Sequence, residues 1–128
     1  MEKSKKKRGR LQVFKGREAK LNHAIFHILA LKGPQTIYHI YKQVKTRRRL
    51  RHVRYATVNK RVRTLLESGY IKKTGVKKTK AGFKASIYEL TARAYLAILL
   101  NHINLDKLVK RADEATASAI LAAVLNTA

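Results

Sequence analysis

The sequence contains no cysteine and no tryptophan, a single proline and only seven acidic residues among 128. Without cysteine there is no disulfide framework, no thiolate metal site and no cysteine nucleophile, which is compatible with a reducing interior. No uninterrupted apolar run approaches the length of about 18 residues that a membrane span needs, and the charged N-terminus does not lead into an apolar segment. We therefore expect no membrane span and no secretion signal, and a cytoplasmic protein.

Basic residues far outnumber acidic ones. Lys and Arg total 30, which gives a formal net charge of +23, while 45% of the residues are hydrophobic. This apolar share is sufficient for one compact domain plus a tail, so the charge has to serve a partner. Phosphate contacts release counterions, and the gain in free energy grows with each phosphate neutralised. The composition therefore predicts a nucleic-acid partner and a nucleoid-associated protein.

The positive charge is concentrated in three blocks, residues 3–10, 45–54 and 72–84, none of which contains an acidic residue. The first block belongs to residues 1–16, which we predict to be a flexible basic arm. The alternative is that the apolar residues at 11, 13 and 14 dock on the domain as a short strand. The arm residues predicted to contact nucleic acid are Lys5, Lys6, Lys7, Arg8 and Arg10.

Helical periodicity follows the arm. Apolar residues recur at helical spacing over 21–29, and Gly33-Pro34 ends this first helix. Thr36 can cap a short second helix whose apolar face spans 37–44. After residue 69 the period changes, and residues 84–91 alternate between two faces, which predicts a β-hairpin with a mobile basic loop at its tip.

Residues 92–128 differ in character from the rest of the chain. They are rich in Ala, Leu, Ile and Val and carry only four basic and three acidic residues. Helices with apolar residues on more than one side need cover from neighbours. We therefore predict that residues 92–128 form a two-fold homodimer; the alternative is that they complete the core of the monomer.

The order of helix, turn, helix, helix and two-stranded wing is that of a winged helix-turn-helix domain, and residues 24–100 resemble the PadR-like winged-helix regulators, relatives of the MarR and ArsR groups. Three stretches carry the resemblance: LALKGPQTIYHIYK at 29–42, T-V-x-x-x-V-x-x-L-x-x-x-G-Y-I at 57–71, and IYELT at 87–91. It implies a mainly α fold with a small β-hairpin, a winged helix-turn-helix domain at 17–91 and C-terminal dimerisation helices. The Lys-rich, cysteine-free composition also suits a thermophilic archaeon or its viruses and plasmids.

The third helix, predicted near residues 55–68, corresponds to the recognition helix of this motif, which enters the major groove. Asn59 can pair with adenine and Lys60 or Arg63 with guanine, although each is equally able to contact a phosphate. The residues predicted to face the bases are Tyr55, Ala56, Thr57, Asn59, Lys60 and Arg63. The residues predicted to contact the DNA backbone are Arg47, Arg48, Arg49, Arg51, Arg54, Lys72, Lys73, Lys77, Lys78, Lys80 and Lys84.

No pattern typical of an enzyme or a metal site occurs. The acidic residues are scattered, there is no glycine-rich phosphate loop or serine elbow, and His23 and His27 lack a third ligand nearby in sequence. We predict no catalysis, no metal and no cofactor.

Three features depart from the usual pattern of these regulators: the connection 45–54 is long and basic, the arm is additional, and the wing tip lacks acidic residues. The leading prediction is a dimeric transcriptional regulator that binds double-stranded DNA, either sequence-specifically or with sequence tolerance. The departures also favour a DNA-coating chromatin or plasmid-partition protein. A ribosome-associated winged-helix protein that binds structured RNA is a further alternative.

Overall fold

The computed structural model describes residues 11–127, which form a helical domain with a small antiparallel sheet. The helices are α1 (Ala19–Lys32), α2 (Ile37–Lys45), α3 (Tyr55–Glu67), α4 (Ala92–His102), α5 (Leu105–Arg111) and α6 (Glu114–Thr127). The strands are β1 (Gln35–Thr36), β2 (Ile71–Lys78) and β3 (Lys84–Leu90). Helices α1 to α3 followed by the β2–β3 hairpin, called the wing below, confirm the predicted mainly α fold of the winged helix-turn-helix class.

The sheet has one strand more than the predicted hairpin. Strand β1 pairs antiparallel with β3 through Gln35↔Tyr88 and Thr36↔Ile87, so the strand order is β1-β3-β2. A strand of two residues is too short to show an alternating pattern, and the sequence around it indicates only a turn and a helix cap. Because β1 lies between α1 and α2, this pairing fixes the wing to the helical part of the domain.

Helix α1 occupies the centre of the core. It is buried over much of its circumference, and α2, α3, α4 and β3 pack against it. The other helices of the motif bury one face each, at Ile37, Ile40 and Val44 in α2 and at Val58, Val62 and Leu65 in α3. These are the faces that the apolar spacing predicts, and the opposite face of α3 stays exposed to solvent as a consequence.

The predicted helix signals also hold. The side chain of Thr36 accepts a hydrogen bond from the His39 N–H at the start of α2, and that of Thr91 accepts one from the Ala94 N–H at the start of α4. Gly33 ends α1 with a φ of 80°, a backbone conformation that favours glycine. Caps are local interactions between residues close in sequence, which is why sequence alone predicts them.

Part of the predicted basic arm belongs to the core. Residues Gln12–Phe14 form one turn of 3-10 helix, not a strand, and Val13 and Phe14 are buried. The Phe14 ring stacks on His23 with centroids 4.2 Å apart and meets the Phe26 ring edge-on at 5.7 Å. The arm residues Lys5, Lys6, Lys7, Arg8 and Arg10 lie outside the described residues.

A buried amide secures this turn. Asn22 in α1 is buried, and its Nδ2 donates to the Val13 carbonyl oxygen at 2.8 Å. Removal of the amide leaves that carbonyl without its donor, at a cost of about 1–3 kcal/mol.

Asn22→Ala is therefore expected to lower the free energy of unfolding by about 1–3 kcal/mol. Urea unfolding followed by circular dichroism measures the change as a lower midpoint at constant m value. Lys20→Ala, an exposed position of the same helix, is the control and is expected to change stability by less than about 0.5 kcal/mol. Equal stability of Asn22→Ala and the unmutated chain would show that this hydrogen bond makes no net contribution to stability.

The start of the C-terminal region is tied to the winged domain. Thr91 Oγ1 donates to the Gly69 carbonyl at 2.6 Å, and Arg93 Nη1 donates to the Ser68 carbonyl at 2.7 Å. Ala94 and Ala97 are buried against the core, so this face of α4 completes the monomer. Between residues 11 and 127 no helix has the length and apolar content needed to cross a membrane.

Candidate nucleic-acid interface

Helix α3 presents a polar face opposite its buried face. Tyr55, Ala56, Thr57, Lys60 and Arg63 are exposed, and Asn59 is half-buried. Arg54, the N-cap residue, precedes the helix in an extended conformation, with φ −94° and ψ 153°. All six residues predicted to face bases are therefore accessible on one helix, whereas contact of any of them with DNA stays a prediction.

Two of these residues are paired with each other. The Arg63 Nε donates to Asn59 Oδ1 at 3.2 Å, one helical turn away. This bond uses one Arg63 donor and one of the two lone pairs on the Asn59 oxygen. The two terminal nitrogens of the guanidinium remain available in the fork that matches guanine O6 and N7.

An aromatic cluster adjoins the N-terminus of α3, and of its residues only Tyr55 was predicted as part of the site. The Tyr55 ring meets the Tyr41 ring edge-on at 5.5 Å, and the Lys45 Nζ lies 5.3 Å from the Tyr41 centroid. The Lys42 Nζ lies 5.5 Å from the Tyr38 centroid in the same way. These contacts hold two additional ammonium groups at the C-terminal end of α2.

A sequence signal for these lysines exists. Tyr38 and Lys42, like Tyr41 and Lys45, are separated by four residues, which places them on the same face of a helix. Lys42 was missed because it lies inside an apolar helical stretch and outside the three basic blocks, and Lys45, the first residue of the block 45–54, was not among the predicted contacts.

The connecting segment, residues 46–54, is anchored to the domain by its apolar side chains. It contains one turn of 3-10 helix, Arg48–Leu50, and Leu50 and Val53 are partly buried against the core. Its predicted backbone contacts Arg48, Arg49, Arg51 and Arg54 are exposed. The segment therefore has a fixed inner side and a basic outer side.

Arg47 differs from the other arginines of the segment. It is half-buried, and its Nη2 donates to His27 Nδ1 in α1 at 3.1 Å. His27 is thus engaged with Arg47, and the His23 ring stacks on Phe14. Across residues 11–127, no three His, Cys, Asp or Glu side chains come together as a metal site would require.

The wing carries the remaining predicted backbone contacts. The side chains of Lys72, Lys73, Lys77, Lys78, Lys80 and Lys84 are exposed. Strand β2 contains a bulge at Thr74, because Lys73 pairs with Tyr88 and Gly75 with Ile87. The added twist that a bulge gives an edge strand turns the outer part of the wing relative to its base.

Acidic residues are scarce in the elements that form the candidate interface. No Asp or Glu occurs between Glu18 and Glu67, nor between Glu67 and Glu89, so helices α1 to α3 and the connecting segment contain only Glu67, the last residue of α3. The connecting segment leads into the N-terminal end of α3, and β2 packs against α3 after its C-terminal end. The structure thus joins two basic segments directly to the ends of the exposed helix.

The fold matches that of solved winged-helix structures. PadR from Bacillus subtilis, crystallised in complex with operator DNA, aligns over 88% of this chain and 69% of its own length, with 15% identity and a TM-score of 0.54. YodB from Bacillus subtilis, in its diamide-treated form, aligns over 80% of this chain and 87% of its own, with 16% identity and a TM-score of 0.51. No protein-family model matches the chain, and no curated protein matches it. At these identities the likeness establishes the PadR-like winged-helix fold.

Proposed function

We propose that this PadR-like winged-helix protein is a dimeric transcriptional regulator, without enzymatic activity, that inserts α3 into the major groove of duplex DNA. The observation that carries the proposal is the exposed polar face of α3, which is joined at its N-terminus to a connecting segment with four exposed arginines. PadR, which shares the fold, was crystallised with operator DNA. Binding to DNA would place the protein at the nucleoid in the cytoplasm.

In this proposal α3 reads the bases. Ala56 and the Thr57 methyl group are suited to thymine methyl groups, and Arg63 is suited to guanine through its terminal nitrogens. Asn59 positions Arg63 through the 3.2 Å hydrogen bond and keeps its own amide N–H groups for an acceptor such as adenine N7.

In the same proposal, the basic side chains that flank α3 bind the phosphate backbone of the DNA. The exposed arginines of the connecting segment lie before α3 in the chain, and Lys42 and Lys45 lie at the end of α2. The wing lysines are suited to phosphates along the neighbouring minor groove. Contacts of this kind fix the register of the protein on DNA and raise affinity without specifying sequence.

The second copy of the chain would cover the C-terminal helices. Every residue from 113 to 126 is exposed in the single chain, including Ile120, Leu121 and Leu125. An isolated helix of 14 residues is marginal in water, so α6 needs a packing partner to be stable. The outward face of α4 adds Tyr95, Leu96 and Leu99, all exposed.

The charge distribution supports another copy of this chain as that partner. Residues 92–128 carry four basic and three acidic residues, whereas nearly all of the +23 net charge lies in the preceding part. Two such regions would meet without strong charge repulsion, and a dimer formed through them would leave the basic surfaces of both copies free for DNA. A two-fold pair would present two copies of α3 to two half-sites.

The salt dependence of binding tests the multiple phosphate contacts. A dimer that neutralises about ten phosphates is expected to show log K falling with log salt at a slope of about −9. Fluorescence anisotropy with a labelled duplex over a potassium chloride series measures this slope. A slope shallower than about −3 would contradict the proposed combination of connecting segment and wing.

A second candidate is a DNA-coating protein of the chromatin or plasmid-partition type. The observation that favours it is the number of exposed cations in the connecting segment and wing, which exceeds what base reading requires. Footprinting separates the two functions: a discrete protected palindrome supports the regulator, and continuous protection supports coating. Competition with structured RNA at fixed salt tests the ribosome-associated alternative, since preference for RNA would contradict both.

A further inference from the structure

The tip of the wing is a closed turn that displays one aromatic ring. Lys78 and Lys84 are the last paired residues of the hairpin, and residues 79–83 join them. The Thr79 N–H donates to the Phe83 carbonyl at 2.7 Å, and the Phe83 N–H donates back to Thr79 Oγ1 at 3.1 Å. The Gly82 N–H donates to the Thr79 carbonyl at 2.9 Å. These bonds fix the backbone of Phe83 at the end of the hairpin.

The Phe83 side chain lies outside the hydrophobic core. It is 72% exposed, more than the exposed tyrosines at 38, 55 and 95, whereas Phe14 and Phe26 are buried. Single exposed apolar residues are common on protein surfaces. This one, however, lies in the hydrogen-bonded turn at the tip of the hairpin, between Lys80 and Lys84, and no acidic residue occurs from 68 to 88.

We propose that Phe83 is a wedge that enters the minor groove and inserts between two stacked base pairs, so that the wing bends the DNA. The inference rests on the proposed binding of duplex DNA and adds deformation of that DNA to it. Ammonium groups at Lys78, Lys80 and Lys84 would hold phosphates on both strands while the ring replaces part of the lost stacking. Apolar wedges of this kind kink duplexes by about 20–90° toward the major groove.

The wedge also implies a sequence preference without a base hydrogen bond. Pyrimidine–purine steps such as TA and TG unstack at the lowest cost, whereas A-tracts are stiff. The wing is therefore expected to favour a TA or TG step at its position beside the α3 contacts. The phenylalanine ring has no hydrogen-bond donor or acceptor, so only the cost of unstacking would distinguish one base step from another.

The test measures bending and unstacking separately from binding. A duplex of about 30 base pairs with TA and TG steps carries a donor dye and an acceptor dye at its ends. A second duplex carries 2-aminopurine in place of adenine at those steps, and its fluorescence rises when the base unstacks. Each protein is added to saturation, which anisotropy of a labelled duplex verifies for each variant.

Four proteins are compared: the unmutated chain, Phe83→Ala, Phe83→Leu and Val76→Ala. Phe83→Ala is expected to lose at least half of the energy-transfer change and most of the 2-aminopurine signal. Phe83→Leu retains an apolar wedge and is expected to keep much of both. Val76→Ala is the matched control, because Val76 is also an exposed apolar residue of the wing, at 52%, but lies away from its tip.

The inference would be overturned if Phe83→Ala bent the duplex as much as the unmutated chain does. It would also be overturned if Val76→Ala lost as much bending as Phe83→Ala. Saturated binding by the unmutated chain without bending or unstacking would also overturn it and leave the proposed regulator standing. Absence of binding to any duplex would overturn both. The wedge is supported if only Phe83→Ala loses bending and unstacking while Phe83→Leu and Val76→Ala retain both.

Discussion

Replacement of Arg48, Arg49 and Arg51 by glutamine is expected to weaken binding to duplex DNA by at least about 100-fold at about 0.15 M salt. These three arginines are exposed on the connecting segment and are not needed for its attachment, which uses Leu50 and Val53. In a dimer the change removes up to six phosphate contacts. The slope of log K against log salt is expected to become shallower by about 5.

The choice of residues keeps the fold intact. Arg47 is left in place because it donates to His27, and Arg54 because it immediately precedes α3. The matched control replaces Lys15, Arg17 and Lys32 by glutamine, which removes the same charge at exposed positions outside both the proposed DNA interface and the proposed dimerisation region. If both triple variants lose affinity to the same degree, net charge and not the connecting segment determines binding, and the proposed interface is wrong.

Leu121→Glu is the second change with a large expected effect: it is expected to convert the proposed dimer into monomers. Leu121 is 57% exposed on α6, and a glutamate there would place two carboxylates at an apolar two-fold interface. Light scattering coupled to size exclusion is expected to give the chain mass of 14.6 kDa in place of twice that value. DNA affinity is expected to fall by about 10²–10⁴-fold, because the two half-sites are then bound independently.

Leu31→Glu provides the control for this experiment. Leu31 is 70% exposed at the end of α1, so the same charge is added at an apolar surface position outside the proposed interface. It is expected to leave the mass at that of the dimer. A monomeric unmutated chain at micromolar concentration, or a dimeric Leu121→Glu, would contradict the assignment of residues 92–128 to dimerisation.

The elements with strong local signals were predicted correctly. The third helix was expected near residues 55–68 and is Tyr55–Glu67, and Thr36 and Thr91 cap helices as expected. Val58, Val62 and Leu65 face the core, so the outward face of α3 followed from the spacing of apolar residues alone. The predictions succeeded here because helix periodicity and capping depend on residues within one or two turns of each other.

The packing of the N-terminal turn against α1 could not be predicted from local sequence patterns. Val13 and Phe14 follow a lysine-rich stretch and show no period, yet Phe14 contacts His23 and Phe26 of α1. The same limit applies to the contact between the Tyr41 and Tyr55 rings, which belong to different helices. A contact between helices depends on their packing, which no pattern within one segment reports.

The sequence by itself determined the helices, the caps at Thr36 and Thr91, the wing and the concentration of positive charge in residues 1–91. Each of these features arises from composition or from the spacing of residues close together in the chain. Only the tertiary structure decided that β1 joins the sheet and that one face of α4 closes the core while the other stays exposed. These features are set by contacts between segments far apart in the chain, whose geometry follows from packing the whole domain around α1.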